Sequence, residues 1–81
     1  MTVAVESYAG YRSGERPLRF RLGERWFRVE EVLDRWYDPQ AIYFRVRADD
    51  GNLYVLRHAE AEDLWTLAAY RGVVENEVHG S

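Results

Sequence analysis

Hydrophobic and polar positions alternate along most of the chain, most clearly on either side of Asp49-Asp50-Gly51-Asn52. Tyr43-Phe44-Arg45-Val46-Arg47 precedes this turn and Leu53-Tyr54-Val55-Leu56-Arg57-His58 follows it. Aromatic and β-branched residues at period two around an Asp-Gly turn are the strongest short-range signal for a β-hairpin. Two registers fit. A two-residue type I′ turn on Asp50-Gly51 pairs Val46 with Val55. A type I turn over Ala48-Asp49-Asp50-Gly51, with Gly51 left-handed as a bulge, pairs Val46 with Tyr54 and Phe44 with Leu56. The second places Phe44, Val46, Tyr54 and Leu56 on one face and Arg45, Arg47 and Arg57 on the other. A one-residue slip would exchange the faces, so this segregation selects the bulged register.

The remaining pattern predicts more strands. Thr2–Tyr8 is one, with Val3, Val5 and Ser7 sharing a face, and Gly10, Gly14 and Pro17 mark residues 10–17 as a loop. Residues 18–29 form a second hairpin with Gly23 at the first central position of a type II′ turn. This pairs Phe20 with Phe27 and Leu18 with Val29 inside, and Arg19 with Arg28 and Arg21 with Trp26 outside. Val29, Val32, Leu33 and Trp36 have the spacing of a helical stripe. The segment nevertheless continues from a hairpin arm with no N-cap. A bent strand with a bulge at Glu30-Glu31, keeping Val29, Val32 and Trp36 near the core and ending at Asp38-Pro39, is therefore expected. Residues 59–63 read as a turn. Leu64–Tyr70 reads as a strand, although residues 59–70 also suit a helix by composition.

Five or six short antiparallel strands joined mostly by tight turns predict an all-β fold, a small SH3-like barrel or strongly curved meander, since curling hides exposed edges. The alternative is an α+β meander with one C-terminal helix. The 81 residues make one domain over 1–71, followed by a flexible acidic tail over 72–81.

Composition narrows the chemistry. An apolar fraction of 47% with 15% aromatics argues against disorder and favours strands. The absence of cysteine removes disulfides, thiolate metal sites and cysteine nucleophiles together. No apolar run approaches the ~20 residues that span a bilayer, so no membrane role is expected and the cytoplasm is the expected compartment. All eleven basic residues are arginine, and they are uneven: residues 12–47 hold nine arginines against six acids, residues 48–81 two against seven.

Five stretches together resemble a known family: Glu15-Arg16-Pro17-Leu18-Arg19-Phe20; Leu33-Asp34-Arg35-Trp36-Tyr37-Asp38-Pro39; Tyr43-Phe44-Arg45-Val46; Asp50-Gly51-Asn52-Leu53-Tyr54; and a later Trp65-Thr66-Leu67. Over roughly residues 15–67 the chain looks like a small stand-alone bacterial domain of unknown function. A similar stretch occurs at the C-terminal end of Y-family-polymerase-like mutagenesis proteins. The resemblance implies a link to DNA-damage tolerance and supplies no catalytic residues to carry over.

The residues themselves offer little catalysis. His58 ends a hairpin arm and His79 lies in the tail, and one ordered histidine without cysteine is a poor start for a metal site or a triad. Neighbours in a strand face opposite ways, so Glu30-Glu31 is no carboxylate dyad. Asp49-Asp50 belongs to the turn. No phosphate loop, dinucleotide fingerprint or nucleophile elbow is present, and neither an enzyme nor a cofactor is expected.

A binding surface is the better expectation. One candidate is the arginine row Arg45, Arg47 and Arg57 beside Tyr43, suited to single-stranded nucleic acid by stacking and phosphate pairing; the competing reading is a solvated face whose arginines pair with nearby acids. Arg19, Arg21, Arg28 and Trp26 pose the same choice on the first hairpin. Another candidate is an aromatic lip of Tyr8, Tyr11 and Arg12, joined by Trp36 and Tyr37, for a protein partner. A pI near 5.3 favours the protein partner over nucleic acid. An open edge around Leu64–Tyr70 would also permit a homodimer.

Overall fold

In the computed structural model, which describes residues 1–11 and 14–73, Gly51 has φ 86° and its N–H donates to the Ala48 carbonyl at 2.9 Å. The Ala48 N–H donates to the Asn52 carbonyl at 3.0 Å. This is the bulged type I turn, and Val46 pairs with Tyr54 and Phe44 with Leu56 as the polarity pattern requires. The two arms are strands four and five of six: β1 (Ala4–Tyr11), β2 (Gly14–Leu22), β3 (Arg25–Asp38), β4 (Ala41–Ala48), β5 (Leu53–Ala59) and β6 (Leu64–Arg71). All are antiparallel and each pairs with the next in sequence, giving a curled half-barrel. No helix occurs among the described residues. Residues 59–70 are thus a turn and a strand, the Trp65 and Leu67 side chains anchoring the strand to the core.

The β2–β3 hairpin has the expected register, Phe20 opposite Phe27 and Arg21 opposite Trp26. Gly23 alone of its two central residues has positive φ (63°), as a type II′ turn demands. Residues 10–17 are corrected: β1 runs on to Tyr11 and β2 starts at Gly14, so most of the expected loop is strand. The register slips between Glu6 and Ser7, which brings Pro17 opposite Ser7. The slip pushes Leu18 outward and buries Pro17 completely in the place Leu18 was expected to fill.

β3 bends twice. It pairs with β2 through Arg25–Arg28 and with β4 through Val29–Asp38, shifting register at Glu30 and again at Leu33. The first bulge is the expected one. The second places Trp36 opposite Tyr43 on the outer face, so Trp36 is not the core residue its spacing suggested. β6 has a similar slip at Ala68, which keeps Trp65, Leu67 and Tyr70 on one side. Its edge around Leu64–Tyr70, where self-pairing is the expectation, is taken in part by the chain's own N-terminus. Thr2 bridges Thr66, Val3 N–H donates to the Trp65 carbonyl and Leu67 N–H to the Met1 carbonyl.

The curled sheet encloses Val3, Phe20, Phe27, Val29, Ile42, Phe44, Val46, Tyr54, Leu56 and Trp65. His58 is part of this core at 3% exposure, its ring stacked on Trp65 at 4.2 Å and its Nε2 2.9 Å from Asp63 Oδ1. Asp63 reaches it from a left-handed backbone position (φ 52°), which aspartate tolerates better than most residues.

Asp50 knots the open end of the barrel. Its carboxylate accepts from the Asn52 N–H (3.0 Å), Asn52 Nδ2 (3.0 Å) and the Tyr54 hydroxyl (2.6 Å), while Asn52 Oδ1 accepts from the Val73 N–H (2.9 Å). Partial burial pushes the Asp50 carboxyl up, but the hydrogen bonds from Tyr54 and Asn52 outweigh it and leave it below the usual range. Burial, then the hydrogen bond to Asp50 and the Asp50 charge, raise the Tyr54 phenol well above its ordinary value. The signs fix two limbs of a pH profile. The Tyr54 contribution is complete below its unfolded value near pH 10 and lost as pH rises further. The Asp50 contribution is complete above about pH 4 and lost as pH falls below it. Tyr54→Phe is expected to cost about 1–2 kcal/mol at pH 7 and to flatten the alkaline limb, read as denaturant midpoint against pH.

Candidate functional site

The exposed end of β3 gathers three aromatic residues that the interior does not use, Trp36 and Tyr37 on β3 and Tyr43 opposite Trp36 on β4. Paired residues share a face, so Trp36 with Tyr43 and Arg57 form one outer row across three strands. The Trp36 and Tyr43 rings are parallel within 2° with centroids 5.4 Å apart. The Tyr43 hydroxyl donates to Asp38 Oδ2 at 2.9 Å and accepts from Arg57 Nε at 3.3 Å. Asp38 also caps the β3–β4 turn, accepting from the N–H groups of Gln40 (2.8 Å) and Ala41 (2.7 Å). The Gln40 N–H first, and then the Tyr43 hydroxyl, hold the Asp38 carboxyl below its ordinary value. Trp36 is therefore seated on a braced tyrosine, yet 41% of it remains exposed.

Tyr37 points the other way, paired with the buried Ile42, but it lies past the mouth of the barrel and is 60% exposed. It forms a wall of a groove of about 610 Å³ that runs from the β3–β4 turn to the β5–β6 turn, with Asp38, Ile42, Arg57, Glu60 and Glu62 among its other lining residues. A smaller cavity of about 270 Å³ lies where β2 and β3 separate, between Arg16 and Val32–Arg35, with Phe44 at its base.

The backbone of β3 is the other resource. From Val29 to Asp38 it pairs with β4, and among the described residues no strand pairs with its opposite edge. Bulges at Glu30 and Leu33 distort the first half of that edge, a common protection against stray pairing. From Asp34 to Asp38 the register is unbroken and the edge carries no proline.

The expected arginine row is present but committed. Arg45 binds Asp34 through Nε (3.1 Å) and Nη2 (2.5 Å), and Arg47 pairs with Glu31. Arg57 alone of the three faces a tyrosine hydroxyl instead of a carboxylate. On the first hairpin Arg19 chelates Glu6 and, with Arg21, flanks the Trp26 ring, while Arg28 meets Glu30. The Arg19 hydrogen bond holds the Glu6 carboxyl below its usual range. Solvated arginines paired with acids and stacked on rings account for most of both faces.

Of the expected lip, Trp36 and Tyr37 adjoin on β3. Tyr11 ends β1 opposite Gly14, on a different hairpin, and Arg12 lies outside the described residues. Sequence reasoning did not single out Glu60 and Glu62, which read as turn residues, or the β3 edge from Asp34 to Asp38, with which no strand pairs among the described residues. Among the described residues no three His, Cys, Asp or Glu side chains converge as metal ligands, and no helix is long and apolar enough to cross a membrane. Comparison with family models, curated proteins and solved structures finds nothing that matches this chain.

Proposed function

We propose that the chain is a binding module that captures an extended segment of a partner protein as an added strand on the β3 edge between Asp34 and Asp38. The observation that carries this reading is the stretch of β3 from Asp34 to Asp38, in unbroken register with β4 and, among the described residues, with no strand paired to its opposite edge, with Trp36 and Tyr37 exposed on its two faces. Strand addition draws affinity from main-chain hydrogen bonds and selectivity from alternate side chains, and here each face offers an aromatic contact. A random heptapeptide display library, selected on the immobilised chain, tests it. Peptides enriched on the native protein should be lost on the Trp36→Ala/Tyr37→Ala variant; enrichment that survives both substitutions contradicts the proposal.

A second reading, single-stranded nucleic acid tied to DNA-damage tolerance, draws support from the Trp36–Tyr43 stack beside Arg57. The ion pairs of Arg45 and Arg47 count against it, because phosphate would have to displace an intramolecular carboxylate. Fluorescence anisotropy with a ten-nucleotide thymidine strand at low salt is expected to give a Kd weaker than about 0.1 mM, the weak end of non-specific binding. Tighter, salt-sensitive binding lost in Arg57→Ala would favour the second reading.

A further inference from the structure

Resting on that reading, we infer that the groove beside Tyr37 selects a lysine or arginine in the captured peptide. A strand laid along Asp34–Asp38 ends at Tyr37 and Asp38, which are themselves walls of the groove. Its floor is the buried Ala41 and Ile42, and its far wall is the β5–β6 turn carrying Glu60 and Glu62.

Charge fixes the sign of the occupant. Three carboxylates, Asp38, Glu60 and Glu62, line the groove against one arginine. Asp38 is taken by two backbone N–H groups and the Tyr43 hydroxyl, and Arg57 donates to that same hydroxyl. Glu60 and Glu62 have no ion-pair or hydrogen-bond partner for their carboxylates among the described residues, and both are exposed. They are nonetheless held in place. The turn is closed by Glu62 N–H to the Ala59 carbonyl (3.2 Å) and Asp63 N–H to the Glu60 carbonyl (3.1 Å), and Asp63 is anchored on the buried His58.

Shape fixes the kind of cation. The Tyr37 ring and Ile42 offer apolar surface to a long aliphatic stem, while the head reaches the two glutamates. A short or anionic side chain satisfies neither wall. The same groove therefore disfavours acidic peptides, by bringing like charges together.

The display selection separates the two levels of this inference. On the native chain, enriched heptapeptides should carry lysine or arginine at one fixed position. On Glu60→Gln/Glu62→Gln that bias should vanish while the other enriched positions persist. A representative enriched peptide, measured by fluorescence anisotropy, should bind the glutamine variant about fivefold more weakly, with the difference shrinking at high salt. Enriched peptides with no basic bias, or a bias unchanged in the glutamine variant, overturn the groove assignment and leave strand capture standing. Absence of any enrichment that depends on Trp36 and Tyr37 overturns both.

Discussion

Phe20→Ala is expected to lose about 3–5 kcal/mol of stability, the usual range for deleting a buried aromatic side chain. Phe20 is fully buried, stacked on Phe27 at 5.4 Å and edge-on to Tyr54 at 4.9 Å. Those contacts reach from β2 to β3 and across the interior to β5, so the ring joins two parts of the sheet that backbone pairing connects through the bent β3 and through the short Thr2–Thr66 bridge. A chain of this size has a total stability of roughly 4–12 kcal/mol. The substitution should therefore remove much of the margin, and a thermal melt followed by far-UV circular dichroism should show a midpoint lowered by tens of degrees or no cooperative transition. Conversely, a midpoint within a few degrees of the native protein would mean that the two parts of the sheet are not held together through this ring.

The second large effect is on binding. Trp36→Ala/Tyr37→Ala should weaken a selected peptide by at least ~30-fold, since exposed aromatics at the centre of a contact carry much of its energy. Stability should change little by comparison. Trp36 gives up one cross-strand ring contact, of a kind worth about 0.2–1 kcal/mol, and Tyr37 lies outside the enclosed core. Equal losses of binding and of melting temperature would mean that the pair is structural. Arg45→Ala serves as the contrast, because the Arg45 guanidinium is already bound to Asp34 on the outer face. It should leave peptide affinity unchanged.

Much of the fold could be read from alternation and turn chemistry. Asp49-Asp50-Gly51-Asn52 identified its own turn because a left-handed glycine and an aspartate that caps backbone N–H groups are local requirements. Gly23 did the same for the first hairpin. What alternation could not reveal was a change of phase inside a strand. The slips near Leu18, Leu33 and Ala68 each exchange the faces of the residues beyond them, and each follows from packing between distant segments. One signal was available for the slip at Leu33. Glu31 and Asp34 are three apart on β3, whereas their partners Arg47 and Arg45 are two apart on β4, so matching both charge pairs demands an extra residue.

The candidate site divides in the same way. Trp36, Tyr37, Tyr43 and Arg57 stood out by residue type, and three of them do form one outer row. Tyr11 and Arg12 shared the composition of an aromatic lip but belong to another hairpin or lie outside the described residues. The β3 edge from Asp34 to Asp38, with which no strand pairs among the described residues, has no local signature at all. It exists because β3 leaves β2 after Arg28 to follow β4, a consequence of curvature that no short window of sequence contains.

Amide hydrogen exchange across the full chain, with and without a peptide enriched in the display selection, is the most direct test of strand capture. The expected result is new protection confined to β3 amides between Asp34 and Asp38, with the Arg19–Arg28 hairpin and the Arg45–Arg47 stretch unchanged. Protection centred on either of those arginine faces, with the β3 edge exchanging as fast as in the free protein, would contradict it.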